Sequence, residues 1–266
     1  MGRTIAITNQ KGGVGKTTTT VNLAASLAHF RSKVLLIDLD PQGNATMGSG
    51  IDKHELAQSA CEALLGECRI DEAVQRAEEA GYDVLPSNSD LTVAEVGLMQ
   101  ATMKEKRLRL AIETVKDAYD YILIDCPPSL NMLTLNALVA SDGVLIPIQT
   151  EYYALEGLSA LLRTIEQVQQ HMNPDLQVDG ILRTMHDLRN NLSNQVSSQL
   201  TSHFGNQVFK SIIPRNVRVA EAPSHGLPIL NYDSASRGAV AYMALASELM
   251  RKVKQQNQNG TLENHG

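Results

Sequence analysis

The chain has 266 residues, 43% of them hydrophobic and 20% charged, enough apolar material for a substantial core. No apolar run approaches the roughly 20 residues needed to span a bilayer, which excludes a helical membrane protein. The net charge of −6 excludes a chain coated in nucleic-acid-binding surface, and the three cysteines (Cys61, Cys68 and Cys126) exclude a disulfide framework and suit a reducing cytoplasm.

Short β-branched runs alternate with helical stretches along the chain, the pattern of an α/β fold with a mainly parallel central sheet covered by helices on both faces. In order, strands are expected at Thr4–Thr8, Lys33–Asp38, Tyr82–Pro86, Tyr121–Asp125, Gly143–Gln149, Val178–Arg183 and Val208–Ile213. Helices are expected at about 16–30, 59–66, 91–117 (broken), 130–140, 154–171, 191–203 and 237–255. Val34-Leu-Leu-Ile37 and Ile122-Leu-Ile124 are apolar on both faces, as buried parallel strands are. No linker interrupts the sequence, so residues 1–254 are expected to form one domain and 255–266 a polar, disordered tail. With a strand expected from Thr4, neither a signal peptide nor an N-terminal helix-turn-helix is expected.

Lys11-Gly-Gly-Val-Gly-Lys-Thr-Thr18 lies between the first strand and a long helix, the context a phosphate-binding loop requires. Gly12, Gly13, Val14 and Gly15 would turn consecutive N–H groups onto phosphate oxygens, aided by the helix N-terminus. Lys16 would reach the β- and γ-phosphates, Thr17 would ligate Mg²⁺ and Thr18 would bond the α-phosphate, with ATP and ADP as the nucleotides. The alternative is a glycine-rich turn capping an ordinary helix. The strict Walker A pattern is not met, because Gln10 stands at its first glycine position.

That departure, with the additional Lys11, resembles the deviant Walker A loop of the ParA/MinD family. The preceding Asn9-Gln10 resembles the ParA/Soj branch, and likeness extends through Thr184–Leu192 and Ile213–Gly226. The resemblance implies a P-loop ATPase fold, Mg²⁺-dependent hydrolysis of ATP and a homodimer formed when ATP is bound. It implies that Lys11 reaches the partner subunit's phosphates, and that hydrolysis then releases the pair. Non-specific DNA, a centromere-binding ParB-type protein and a cytoplasmic, nucleoid-associated location follow from the same resemblance.

Asp38-Leu-Asp-Pro-Gln-Gly-Asn44 follows the second strand at the carboxyl end of the sheet, where open α/β folds bind ligands. By resemblance Asp38 contacts a Mg²⁺-bound water and Asp40 positions the attacking water; an Asp-rich turn is the plainer reading. Ile122-Leu-Ile-Asp-Cys-Pro-Pro128 has Walker B character, so Asp125 would hold the metal through a water, unless it merely caps the next helix. Cys126 reads as packing. The resemblance further assigns Pro214 and Asn216 to the base and Glu151 to the ribose across the dimer, while His186 and His225 read as structural.

Residues 51–125 carry 16 acids against 8 bases, whereas residues 183–237 carry 6 bases against 3 acids. A cationic face in the last third would hold DNA phosphates through Arg189, Lys210, Arg215 and Arg218, with Arg237 as a further contact. Unevenly solvated charge is the alternative. Two other readings share the same engine. A MinD-like membrane positioning role wants an amphipathic C-terminal helix, and Gln255–Gly266 has one large apolar residue. A reductase resembling the nitrogenase iron protein wants paired cluster cysteines, which Cys126 alone does not supply. ParA-like positioning of a protein cargo stays open.

Overall fold

The structure, a computed structural model, describes residues 2–151 and 153–263. β1 (Arg3–Ile7) leads through the glycine loop into α1 (Lys16–His29), and β2 (Val34–Asp38) is followed by the short α2 (Asn44–Gly48). Then come α3 (Ala60–Leu65), α4 (Ile70–Ala73), β3 (Gln75–Ala77), β4 (Tyr82–Leu85), α5 (Leu91–Leu98) and α6 (Arg107–Glu113). β5 (Tyr121–Asp125), α7 (Met132–Ala140), β6 (Gly143–Gln149), α8 (Ala154–His171) and β7 (Gln177–His186) continue the alternation. α9 (Asn191–Phe204), β8 (Val208–Pro214), α10 (Val217–Glu221), α11 (Ile229–Tyr232) and α12 (Arg237–Glu263) complete it.

The eight strands form one sheet in the order β3-β4-β2-β5-β1-β6-β7-β8, parallel throughout except for the antiparallel β3–β4 pair. All five residues of β2 and of β5 are buried. Their side chains alternate between two cores, as the period of two dictates. Leu35, Ile37, Ile122 and Ile124 face the layer containing α3, α5, α7 and α8. Val34, Leu36, Tyr121 and Leu123 face the layer built by α1 and α12. Each such aliphatic side chain contributes about 1.5–3 kcal/mol of burial, so the sheet is held flat-on from both sides.

The mainly parallel sheet covered on both faces agrees with the sequence reading, and its seven strands recur with ends displaced by a few residues. The helix over 91–117 is broken, as expected, into two helices. α5 stops at Leu98, Met103 takes a left-handed φ of 54°, and Asn136 of α7 restarts the helix by accepting from Leu108 N at 3.1 Å. β3 carried no β-branched signal; its register sets Arg76 opposite Asp83, and the two form an ion pair at 2.9 Å. α12 runs to Glu263, past the expected end at 255, across the stretch read as a disordered tail. Polarity alone does not stop a helix, and the glutamines there are good helix formers. Residues 264–266 of that tail lie outside the described residues.

Candidate active site

Three parallel strands end together at the site. Register pairs Ile7 of β1 with Asp125 of β5, and Asp125 with Asp38 of β2. The chain then turns from β1 into the glycine loop. Gly13 and Gly15 have φ of 74° and 86°, a conformation that side chains with a Cβ resist. Gly12 is different: its φ is ordinary and an added Cβ would meet no atom within 4 Å, so nothing in the folded chain itself requires glycine there. A polyphosphate lying against the bare backbone would. Gly15 caps α1 without any side-chain hydrogen bond, so the first N–H groups of the helix are left to an anion.

A cavity of about 400 Å³ opens over this loop. Gly12, Gly13, Gly15, Lys16, Thr17 and Thr18 form its phosphate end, and Asp40, Asn44 and Pro128 flank it. Met185, Ile213, Pro214, Val219 and Tyr242 give it a largely apolar end suited to a purine, with Arg215 and Asn216 beside them. Asn216 Oδ1 caps α10 by accepting from Arg218 N and Val219 N at 2.8 and 3.3 Å, which leaves its amide N–H for a base. Val14 is buried, and its carbonyl accepts from Thr184 Oγ1 at 2.8 Å, so β7 braces the loop from outside.

Lys16 is 7% exposed. Burial lowers its pKa, opposed by the nearby Asp125 and Asp40. Asp125 is fully buried; its Oδ1 accepts from Thr20 Oγ1 at 2.9 Å, while Oδ2 has no hydrogen-bond partner. Burial raises its pKa, and the adjacent Asp38 carboxylate raises it further. A buried carboxylate with one orphaned oxygen beside Thr17 fits a hydrated divalent cation, which would restore ionisation at neutral pH.

Asp38 is also fully buried and held mostly by protein: Oδ1 accepts from Asp40 N at 3.1 Å, and Oδ2 accepts from Thr46 N and Oγ1, both at 2.8 Å. Asp40 stands at the cavity wall, 9% exposed, with Oδ1 accepting from Gln42 N at 2.9 Å. Cys126 is fully buried, its thiol pushed up by burial and by Asp125, in keeping with a packing role.

Two expected contacts lie outside the cavity. Lys11 Nζ pairs with Glu151 Oε2 at 2.7 Å within the same chain, both side chains being about half exposed. The basic residues divide. Arg189, Arg215 and Arg237 line a groove of about 890 Å³, Arg215 lining the phosphate-loop cavity as well, whereas Lys210 and Arg218 line neither. Arg189 is held by Asp187 through two bonds of 3.0 and 3.1 Å, a pairing that brings the Asp187 carboxyl down to about 2. Arg218 is paired with Glu221 at 3.0 Å. Arg183, counted above in the basic third, is buried against Ser197 Oγ and the Phe209 carbonyl and adds nothing to a cationic face. His186 is buried between Thr150 and Ser193, and His225 stacks on Tyr232 at 4.8 Å.

Thr20, Thr46, Ser87, Thr184 and Tyr242 were not legible as site residues. Thr20 sits in the Thr17–Thr20 run, where helical spacing could have signalled it; the others reach the site from distant elements.

Residues 2–178 match the AAA domain family. The sporulation initiation inhibitor protein Soj of Bacillus subtilis is 53% identical over 249 residues, covering 94% of this chain and 98% of Soj. The chromosome partitioning protein ParA of Myxococcus xanthus is 53% identical over 252 residues, covering 95% of this chain and 89% of that protein. Among solved structures, cobyrinic acid a,c-diamide synthase from Mycobacterium smegmatis with bound ADP and magnesium superposes with a TM-score of 0.84 at 38% identity, 96% of each chain being covered. A glycine loop closed by Lys16, Asp40 and Asp125, and likeness along nearly the whole length, place the chain in the AAA domain family as a member of its ParA/Soj-type ATPases.

Proposed function

We propose that the protein is a Mg²⁺-dependent ATP hydrolase of DNA partitioning, which dimerises on ATP, binds DNA without sequence preference and is released by a centromere-binding partner that stimulates hydrolysis. The observation that carries this reading is the position of Lys11. Lys16 lines the phosphate cavity of its own chain, while Lys11 stands outside it on the surface. A second lysine placed there serves a neighbour's phosphates and not its own, which makes the triphosphate the bridge between two copies.

Thr17 and the free oxygen of Asp125 would hold the metal, Asp125 through water. The bound Mg²⁺ supplies charge neutralisation on the phosphates. Lys16 and the N–H groups of Gly13 to Thr18 stabilise charge on the transferred phosphoryl group. Asp40 orients the attacking water. Pro214 and Asn216 would seat the base, and Glu151, once released from Lys11, would be free to contact the ribose of the facing subunit. ADP lacks the phosphate that Lys11 would hold, so hydrolysis weakens the interface.

Phosphate contacts by Arg189, Lys210, Arg215 and Arg218 carry no base information, and each monomer offers few, so pairing two such faces makes DNA binding ATP-dependent. Among the described residues no helix is long and apolar enough to cross a membrane. Sedimentation with non-specific DNA and with liposomes, each with ATP, ADP or no nucleotide, tests the reading. DNA retention confined to ATP is expected; retention on lipid, or on DNA irrespective of nucleotide, would overturn it.

A further inference from the structure

Asp40 is fixed through its main chain as well as through its carboxylate. Its N–H donates to Asp38 Oδ1 at 3.1 Å. Its carbonyl accepts from Gly43 N at 2.9 Å and from the Ser87 hydroxyl, also at 2.9 Å. Ser87 lies 47 positions further along the chain, just beyond the carboxyl end of β4, and is fully buried. Its own N–H donates to Thr46 Oγ1 at 2.9 Å, and that hydroxyl donates to Asp38 Oδ2 at 2.8 Å. Asp38, Asp40, Ser87 and Thr46 therefore close a ring of hydrogen bonds that joins the end of β2, the loop after it, the end of β4 and α2.

We propose that Ser87 is a positioning residue for hydrolysis, acting through the Asp40 main chain, with Thr46 as the second strut. The inference rests on Asp40 orienting the attacking water. The Asp40–Gln42 and Asp40–Gly43 bonds are internal to the loop. Leu39 N bonds the Asp125 carbonyl at 3.0 Å before Asp40, and Lys53 Nζ bonds the Gln42 carbonyl at 2.6 Å after it, but neither bond reaches Asp40 itself. Ser87 ties the Asp40 carbonyl to the segment leaving β4. The carboxylate must be aimed at a water beyond the terminal phosphate, and catalysis falls steeply with small errors of aim. ATP binding depends on the glycine loop and the start of α1, to which no hydrogen bond of the ring runs, although α2 packs against α1. The two properties therefore separate: loss of the strut lowers turnover and spares affinity.

Ser87→Ala deletes one hydroxyl from the ring and keeps the Ser87 N–H bond to Thr46, so the fold survives. The test is single-turnover and steady-state ATP hydrolysis by S87A, D40A, the S87A/D40A double variant, T46S and T46V. The expected result is a loss of kcat of about 3- to 10-fold in S87A, with KM for ATP within about twofold of the parent. T46V should lose turnover similarly, and T46S, which keeps the hydroxyl, should restore it. On the D40A background S87A should add nothing, because the two act as one unit. Parental kcat in S87A beside an impaired D40A overturns the proposal alone. So does a matched loss of affinity and turnover, or an S87A loss that multiplies with that of D40A. Parental turnover in D40A overturns the role of Asp40 itself, and the strut with it.

Discussion

Lys11 Nζ lies 2.7 Å from Glu151 Oε2, an ion pair that closes 140 residues of chain at the rim of the phosphate site. With side chains 45% and 49% exposed, such a pair is worth about 0–1 kcal/mol and is readily exchanged for a stronger partner. Under the proposed function, a triphosphate on a facing subunit would be that partner. Lys11→Ala should therefore abolish ATP-dependent self-association in analytical ultracentrifugation, while ATP binding to the monomer changes by less than about threefold. Glu151→Ala should shift unfolding free energy by less than about 1 kcal/mol. A Lys11→Ala dimer at saturating ATP and magnesium would sink the trans assignment.

Asp38 and Asp125 are raised from the ordinary carboxylate value, to about 6 and about 8, by burial and then by a neighbouring carboxylate, Asp40 for Asp38 and Asp38 for Asp125. A folded-state pKa above the unfolded one means that the native protein holds the proton more tightly. The pair's contribution to stability is then complete below the unfolded value of 3.8 and is lost as pH rises through about 6 and about 8. Nucleotide-free protein should accordingly melt at lower temperature at pH 8 than at pH 6. Asp125→Asn should flatten that difference in thermal denaturation followed by circular dichroism. Parallel pH profiles for parent and variant would refute the assignment.

Asp40→Ala removes the carboxylate at the cavity wall and leaves the glycine loop untouched. Turnover should fall by about 100-fold or more, and the ATP-bound dimer should persist on DNA for as long as nucleotide is supplied. Phosphate release and DNA residence time measured together provide the check, since a variant that hydrolyses normally cannot be trapped.

The exposed cations are not equivalent. Arg215 makes no ion pair among the described residues, whereas Arg189 is engaged by Asp187 and Arg218 by Glu221. Arg215→Glu is expected to weaken ATP-dependent DNA binding by about 10-fold or more and to reduce the salt slope by about one. Arg218→Glu should show the same direction with a smaller effect, because it gives up a cation already partly neutralised. Fluorescence anisotropy across a salt series distinguishes these outcomes; equal affinity in the Arg215 variant removes it from the contact surface.

Gly43 has φ of 62°, and a Cβ built there comes within 2.6 Å of the Ser87 carbonyl oxygen. Gly43→Ala should cost about 1–3 kcal/mol and lower turnover more than ATP affinity, because the turn carrying Asp40 must shift. Denaturant titration alongside kinetics reads both. A variant with parental stability would show that the turn has room to relax.

Much of the site was visible in one dimension because its parts are contiguous. The phosphate cradle needs successive N–H groups at a helix start, so Lys11 to Thr18 appear together as a motif, and strands buried on both faces announce themselves as unbroken apolar runs ending in Asp38 and Asp125. The break in the helix over 91–117 was expected, but not its place at Met103, and the roles of Ser87 and Arg183 were not visible. A hydroxyl aimed across 47 positions and an arginine folded inward leave no local pattern.

Sequence alone thus determined the layered α/β architecture, the nucleotide loop and the acids at the strand ends, since each depends on periodicity or on short-range backbone geometry. Tertiary structure decided how the acids are held, which cations face outward, and that Lys11 meets Glu151 at the rim and not its own phosphate cavity. Those outcomes depend on which strand lies beside which, a consequence of packing the whole sheet and not of any segment within it.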